Sequence, residues 1–286
     1  MDIECRRRSV QCASPRGLHR IAYLEWGDAR NPDVLVCVHG LTRCARDFDE
    51  LARAFAGRYR VVCPDVAGRG DSDWLEDPML YGIAQYVADM VTLIARLDVP
   101  AVHWIGTSMG GLIGMALAAQ KGAPIEKLVI NDAGPAIAKA ALERIGTYVG
   151  HAPTFQSLEQ AEQYLRSVSA SFGPHSDAQW RFLTEIAVRR NENGSYRMHY
   201  DPRIAEAFRR QMPEGDLELW PLWDAVRCPT LVLRGEHSDL LSRNTCREMA
   251  ARGPKPKVVE IPGVGHAPTL MIDEQIAVVR DFLLTP

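Results

Sequence analysis

Ile105-Gly106-Thr107-Ser108-Met109-Gly110-Gly111 joins a short apolar run, Ala101 to Ile105, to a helix-like run, Leu112 to Gln120. A serine between glycines at such a junction has the G-x-S-x-G pattern of a nucleophile elbow. The sharp turn strains the serine backbone, and a side chain at position 106 or 110 would collide with the neighbouring strand or helix. The helix that follows points its unpaired N–H groups and positive end back at Ser108, where an oxyanion would develop.

Outward from the elbow, strands alternate with helices. Val34-Leu35-Val36-Cys37-Val38 is a continuous apolar run, as expected of a strand buried on both faces. A helical pattern through Phe48, Leu51, Ala52 and Phe55 follows, then a strand from Tyr59 to Cys63. A long amphipathic helix runs through Tyr86, Met90, Leu93, Ile94 and Leu97, and Lys127 to Asn131 is the strand after the elbow helix. At the start, Arg7 to Cys12 and His19 to Trp26 form a strand pair about the turn at Pro15-Arg16-Gly17. This alternation predicts an α/β fold with a mostly parallel sheet covered on both faces.

From Pro135 to Val226 the alternation stops. Ala138 to Val149, Leu158 to Phe172, Asp177 to Arg189 and Arg203 to Met212 read as helices, with a short strand at Ser195 to His199. After Cys228-Pro229, strand Thr230 to Arg234, helix Asn244 to Ala251, strand Lys257 to Ile261 and helix Glu274 to Leu284 resume the earlier pattern. The expected organisation is a core over 1–134, a helical cap over 135–226 and a second core part over 227–286, packed as one unit.

Composition narrows the function. The chain has 286 residues, a net charge of -3 and 47% hydrophobic residues, which gives no electrostatic case for nucleic acid or an anionic membrane. The 7 cysteines show no C-x-x-C pairing and read as free thiols of a cytoplasmic protein. Arg6-Arg7-Arg8 is followed by too polar a stretch for a signal peptide. Neither a G-K-[ST] nor a G-x-G-x-x-G ending follows Asp65 to Ser72, so that segment reads as a turn rather than a nucleotide cradle. Histidine and carboxylate spacings match no metal motif. The expected partner is a small-molecule substrate, and no pattern speaks to oligomeric state.

A serine hydroxyl needs a general base, usually a histidine held by a carboxylate. His266, in Pro262-Gly263-Val264-Gly265-His266, sits between the last strand and last helix, on a loop able to reach the crevice at the sheet's carboxyl edge. Two acids compete: Asp239, in Gly235-Glu236-His237-Ser238-Asp239, and Asp132, in Asn131-Asp132-Ala133-Gly134. Both keep the order Ser, Asp, His. The G-x-x-x-D loop after the penultimate strand favours Asp239, which leaves Asp132 a turn-forming role. The oxyanion donors are expected to be the backbone N–H groups of Met109 and Leu41, with His39 shaping the loop before Leu41. Phe155, Phe172, Trp180, Phe182, Trp220 and Trp223 are candidates for a pocket lining, or for packing within the cap.

The chain resembles the α/β-hydrolase superfamily over nearly its whole length. The resemblance rests on His39-Gly40-Leu41, Pro64 to Ser72, Gly106 to Gly111, Gly235 to Asp239 and Gly265-His266. It implies an eight-stranded, mostly parallel sheet, a helical cap inserted after the sixth strand, and no cofactor. Similar chains include carboxylesterases, lactonases, hydroxyalkanoate-oligomer hydrolases and hydrolases of C–C bonds in ring-fission products. Haloalkane dehalogenases and epoxide hydrolases carry aspartate at the elbow, so Ser108 separates this chain from them. Three functions therefore stay open: a serine hydrolase of a small or medium carboxylic ester, a C–C hydrolase of a diketone acid, and a ligand-binding protein on the same fold. A substrate carboxylate would need an arginine in the pocket, for which Arg43, Arg189 and Arg190 are the candidates.

Overall fold

A computed structural model describes residues 4–285. Strands β1 (Cys5–Ser14) and β2 (Gly17–Trp26) form the expected hairpin, with the pair register running from Cys5 opposite Trp26 to Ser14 opposite Gly17. Then come β3 (Val34–Val38), α1 (Asp49–Phe55), β4 (Arg60–Pro64), α2 (Ile83–Leu97), β5 (Val102–Thr107), α3 (Met109–Ala118) and β6 (Ile125–Asn131). The last part of the chain supplies β12 (Thr230–Gly235), α9 (Arg243–Ala251), β13 (Lys257–Ile261) and α10 (Asp273–Leu284), numbered in chain order after the insertion described below.

These strands form one eight-stranded sheet in the order β1-β2-β4-β3-β5-β6-β12-β13. The β1–β2 and β2–β4 pairs are antiparallel and the others parallel, as the alternating pattern predicts. β3 shows why its sequence is apolar throughout. Val34, Val36 and Val38 pack into the core on one face, with α2 and α3, while Leu35 and Cys37 pack into the core on the other, with α1 and α10. Each such side chain contributes roughly 1.5–3 kcal/mol relative to exposure.

Between Asn131 and Thr230 the chain leaves the sheet. This segment contains β7 (Ala136–Ile137), α4 (Lys139–Tyr148), β8 (Thr154–Phe155), α5 (Leu158–Val168), α6 (Asp177–Ala187), β9 (Val188–Arg190), β10 (Tyr196–Met198), α7 (Ile204–Arg210), β11 (Leu217–Glu218) and α8 (Trp220–Ala225). The four expected helices are present but shorter. The chain from Leu158 breaks at Ser169 into a separate 3-10 turn, Ala170–Phe172, and the tail of the expected Asp177–Arg189 helix is strand β9. Short strands join them: β10 falls within the strand expected at Ser195 to His199 and forms a small sheet with β8 and β9, while β7 pairs with β11; β7, β8, β9 and β11 are not evident in the sequence. The β7–β11 pair ties the segment's entry to its exit, so it leaves and rejoins the core at one neck.

Candidate active site

β3, β5, β6, β12 and β13 run parallel, so the loops that follow them open at one edge. These loops carry Leu41, Ser108, Asp132, Asp239 and His266.

Ser108 has φ 52 and ψ -114, a conformation that L side chains seldom adopt. The close packing that imposes it is measurable. A Cβ at Gly106 would lie 2.1 Å from the Gly110 carbonyl oxygen, and one at Gly110 would lie 2.0 Å from that of Val38. The Ser108 N–H donates to the Asn131 carbonyl at 2.8 Å, which fixes the turn against β6.

His266 Nε2 lies 2.9 Å from Ser108 Oγ, and its Nδ1 lies 2.8 Å from Asp132 Oδ2. The other Asp132 oxygen accepts the Gly235 N–H at 3.0 Å. Fully buried, Asp132 therefore orients the imidazole from beneath. With the carboxylate accepting from Nδ1–H, the lone pair of Nε2 is left for the Ser108 hydroxyl proton, the arrangement a general base requires.

The acid beside His266 is thus Asp132, and the expectation of Asp239 is corrected. Asp239 is half-exposed and forms a two-point ion pair with Arg144 of α4, Nη2 to Oδ1 at 3.0 Å. Sheet order explains the outcome. Asp132 directly follows β6, the neighbour of β5, whereas β12 lies one strand further out. A φ of 57 at Asp132 turns its side chain back over the sheet edge. Its role in the turn and its contact with His266 are compatible.

Both expected oxyanion donors border the cavity above Ser108. Met109 opens α3, so its N–H has no carbonyl within the helix. The Leu41 loop passes beside the nucleophile, where a Cβ at Gly40 would meet Ser108 Cβ at 3.7 Å. His39 is buried beneath that loop, its Nδ1 2.7 Å from the Gly40 carbonyl and its Nε2 accepting the Val66 N–H at 2.9 Å. Burial pushes its pKa down to about 3, so it is neutral at neutral pH and shapes the loop as expected.

Several supporting residues have no signal in the sequence. Arg69, in the segment read as a turn, is fully buried and donates to the carbonyls of Leu41 and Ala67 at 2.8 and 2.7 Å and to the Tyr86 hydroxyl at 2.8 Å. It also contacts Met109 Sδ at 3.6 Å, so one cation braces both expected oxyanion elements. Asp65 holds the base of that segment by accepting the N–H groups of Ala45 and Asp71, and burial pushes its pKa up to about 6. Asn131 Nδ2 donates to the Pro268 carbonyl at 2.8 Å, and Ser171 of the inserted segment donates to the His266 carbonyl at 2.5 Å. The His266 loop is therefore held by the core and by the insertion together.

The cavity has a volume of about 360 Å³ and lies between the core loops and the insertion, with Ile83, Leu112, Ile145, Leu165 and Phe208 among its apolar walls. Of the six aromatic candidates only Phe172 borders it. Trp180, Trp223 and Phe155 are core side chains, Phe182 packs against the cluster around Trp180, and Trp220 lies against Arg252. Among the three candidate arginines Arg43 lines the cavity. Arg189 faces Asp71 at 3.8 Å, away from it.

Away from this cavity, Cys12, His19 and Asp89 come together as a buried cluster that no spacing motif announces. Cys12 and His19 face each other across the hairpin, and His19 Nε2 lies 3.1 Å from Asp89 Oδ1, joining the hairpin to α2. All seven cysteines are free thiols, and among the described residues no helix is long and apolar enough to cross a membrane.

Comparisons with known proteins agree with this architecture. A model of the alpha/beta hydrolase family matches residues 35–281. The chain is 53% identical to the 3-hydroxybutyrate-oligomer hydrolase of Cupriavidus necator over 280 residues, covering 96% of each chain. It is 26% identical to the 2-(acetamidomethylene)succinate hydrolase of Mesorhizobium japonicum, covering 82% of this chain and 81% of the relative. A crystal structure of an alpha/beta hydrolase from Novosphingobium aromaticivorans superposes with a TM-score of 0.86 at 40% identity, covering 99% of this chain and 98% of the other. The eight-stranded sheet, the elbow and these matches together make the chain a hydrolase of the alpha/beta hydrolase family.

Proposed function

We propose that the chain is a serine hydrolase of short oligoesters of 3-hydroxy acids, acting through an acyl-enzyme on Ser108. The single observation that carries the reading is the Ser108–His266–Asp132 hydrogen-bond chain at the floor of the cavity. Residues 135–226 act as the cap that shapes that cavity. The substrate class rests on the similarity to the Cupriavidus necator enzyme. Free thiols throughout the chain support a reducing compartment, the cytoplasm.

In this mechanism His266 takes the proton of Ser108 as Oγ attacks the ester carbonyl. The N–H groups of Met109 and Leu41 receive the oxyanion, each worth roughly 2.7–4 kcal/mol in comparable sites. His266 then passes its proton to the leaving alcohol, and the C–O bond breaks. Water, deprotonated by His266, attacks the acyl-serine; the acyl C–Oγ bond then breaks, His266 returns the proton to Ser108 Oγ, and the acid is released. Asp132 stabilises the imidazolium at both stages. No step calls for a cofactor.

C–C cleavage of a diketone acid would use the same residues and would also require an arginine in the cavity. Arg43 meets that requirement, but an oligoester acid carries a carboxylate too, so ester cleavage is favoured by the 53% identical relative. A purely ligand-binding role leaves the aligned hydroxyl, imidazole and carboxylate without a purpose. The decisive experiment compares turnover of 3-hydroxybutyrate dimer, p-nitrophenyl acetate and a ring-fission diketone acid by the wild type and Ser108→Ala. Ester turnover abolished by Ser108→Ala is expected. Undiminished turnover in the folded variant, or faster diketone cleavage, would overturn the reading.

A further inference from the structure

Arg43 is held in an unusual way for a side chain beside an apolar cavity. Its side chain is 11% exposed, and it grips Asp47 through Nε and Nη2, with Nε to Oδ2 at 2.9 Å and Nη2 to Oδ1 at 2.6 Å. That contact uses the side edge of the guanidinium. Nη1, on the end edge, is buried with no hydrogen-bond partner. The Phe172 ring lies over the group, its centroid 5.9 Å from Cζ, and helps to keep water away. A guanidinium cannot shed its proton, so a buried donor of this kind is costly unless an acceptor arrives.

The position is close to the chemistry. A Cβ at Gly40 would sit 3.7 Å from Ser108 Cβ and 3.9 Å from Arg43 Cγ, so the nucleophile and the arginine stem flank the same point of the loop. The other arginine on the cavity wall, Arg144, is already engaged by Asp239 and is more exposed. Planar, two-pronged recognition of a carboxylate is the interaction that a free guanidinium edge offers best.

We infer that Arg43 receives the free carboxylate of the substrate on its unoccupied edge, so that the enzyme cleaves the ester nearest the acid end. This rests on the proposed oligoester activity and names its orientation. In a 3-hydroxy acid oligomer, the ester oxygen and the free carboxylate of the last unit are two carbons apart along the chain. An acid end on Arg43 therefore brings the last ester link toward Ser108. On cleavage the C–O bond breaks, the alcohol oxygen takes the proton held by His266, and the departing monomer keeps its carboxylate. Asp47 fixes the guanidinium plane and acts as a positioning residue.

The test compares 3-hydroxybutyrate dimer with its methyl ester, which retains the scissile bond but lacks the charge. The wild type is expected to favour the acid in kcat/KM, and Arg43→Gln is expected to lower the acid-to-methyl-ester ratio by about 10- to 100-fold. Equal losses on both substrates, or a wild type indifferent to the charge, would overturn the inference and leave the ester-hydrolase reading intact. Calorimetric binding of the acid dimer to Ser108→Ala, with and without Arg43→Gln, is independent of turnover. Affinity about tenfold weaker or more in the double variant supports the assignment, and unchanged affinity refutes it. Binding that depends on Arg43 without wild-type ester turnover would refute the proposed activity alone.

Discussion

Replacing Asp132 by Asn is expected to reduce esterase kcat by on the order of 10⁴-fold, by analogy with the serine-protease triad. The structure supplies the reason. Asp132 Oδ1 accepts the Gly235 N–H and Oδ2 accepts from His266 Nδ1. In the variant, the amide oxygen can keep the Gly235 bond while the amide N–H₂ turns toward Nδ1. His266 then accepts at Nδ1 and carries its proton on Nε2, facing Ser108 Oγ with a donor where a base is needed. A 10⁴-fold loss corresponds to about 5 kcal/mol of transition-state stabilisation. The comparison variant is Asp239→Asn, which weakens an ion pair to Arg144 whose two side chains are 42% and 48% exposed. Such pairs contribute about 0.2–1 kcal/mol, so activity should change by less than about fivefold. The assay is p-nitrophenyl acetate hydrolysis under single-turnover and steady-state conditions, with far-ultraviolet circular dichroism to show that both variants are folded. A larger loss in Asp239→Asn than in Asp132→Asn would refute the assignment of the acid.

Gly110→Ala forces a Cβ to within 2.0 Å of the Val38 carbonyl oxygen, and backbone cannot yield as a side chain would, so urea denaturation should show a loss of about 3 kcal/mol. Gly235→Ala places a Cβ 2.2 Å from the Gly265 carbonyl and should displace the His266 loop, lowering kcat in protein that still folds; unaltered kcat would show that the loop does not depend on this contact. Arg69→Met removes the donors to Leu41, Ala67 and Tyr86 and is expected to lower kcat more than it raises KM, a split that a change in substrate binding alone would reverse. For His39, the folded pKa of about 3 lies below the unfolded value of about 6.5, so the unfolded state binds the extra proton and stability is lost as pH falls through that window. The stability advantage of the wild type over His39→Asn should therefore shrink by about 1.4 kcal/mol per pH unit between pH 6 and 4, and a constant gap would refute it. Because that gap is a difference between two proteins that both retain Asp65, it cancels the opposite effect of this group, whose pKa is pushed up to about 6 and which favours folding as pH falls.

Local and periodic features were legible in the sequence, and features set by sheet order were not. The elbow, the five apolar residues of β3 and the buried stripe of α2 depend on neighbours a few positions away, so spacing alone reveals them. The acid depends on which strand lies beside β5. Both β6 and β12 end at the correct edge, and chain order does not say that β6 is the nearer. Strands are about 4.8 Å apart, a step larger than any hydrogen bond, so one strand decides which carboxylate His266 can meet. His266 follows β13 at the sheet's end and must cross β12 to reach Asp132. Gly235 permits this crossing because it has no Cβ where the Gly265 carbonyl passes, and Asn131 then receives the loop at Pro268. The same glycine that marks the G-x-x-x-D pattern thus lets the histidine pass beyond Asp239. The carboxylate left behind is taken up by Arg144, from a helix that no pattern near Asp239 could reveal. Arg69 shows the same limit. Its partners at Leu41, Tyr86 and Met109 come from three separate segments, so a residue that reads as part of a turn becomes a buried brace of the Leu41 loop.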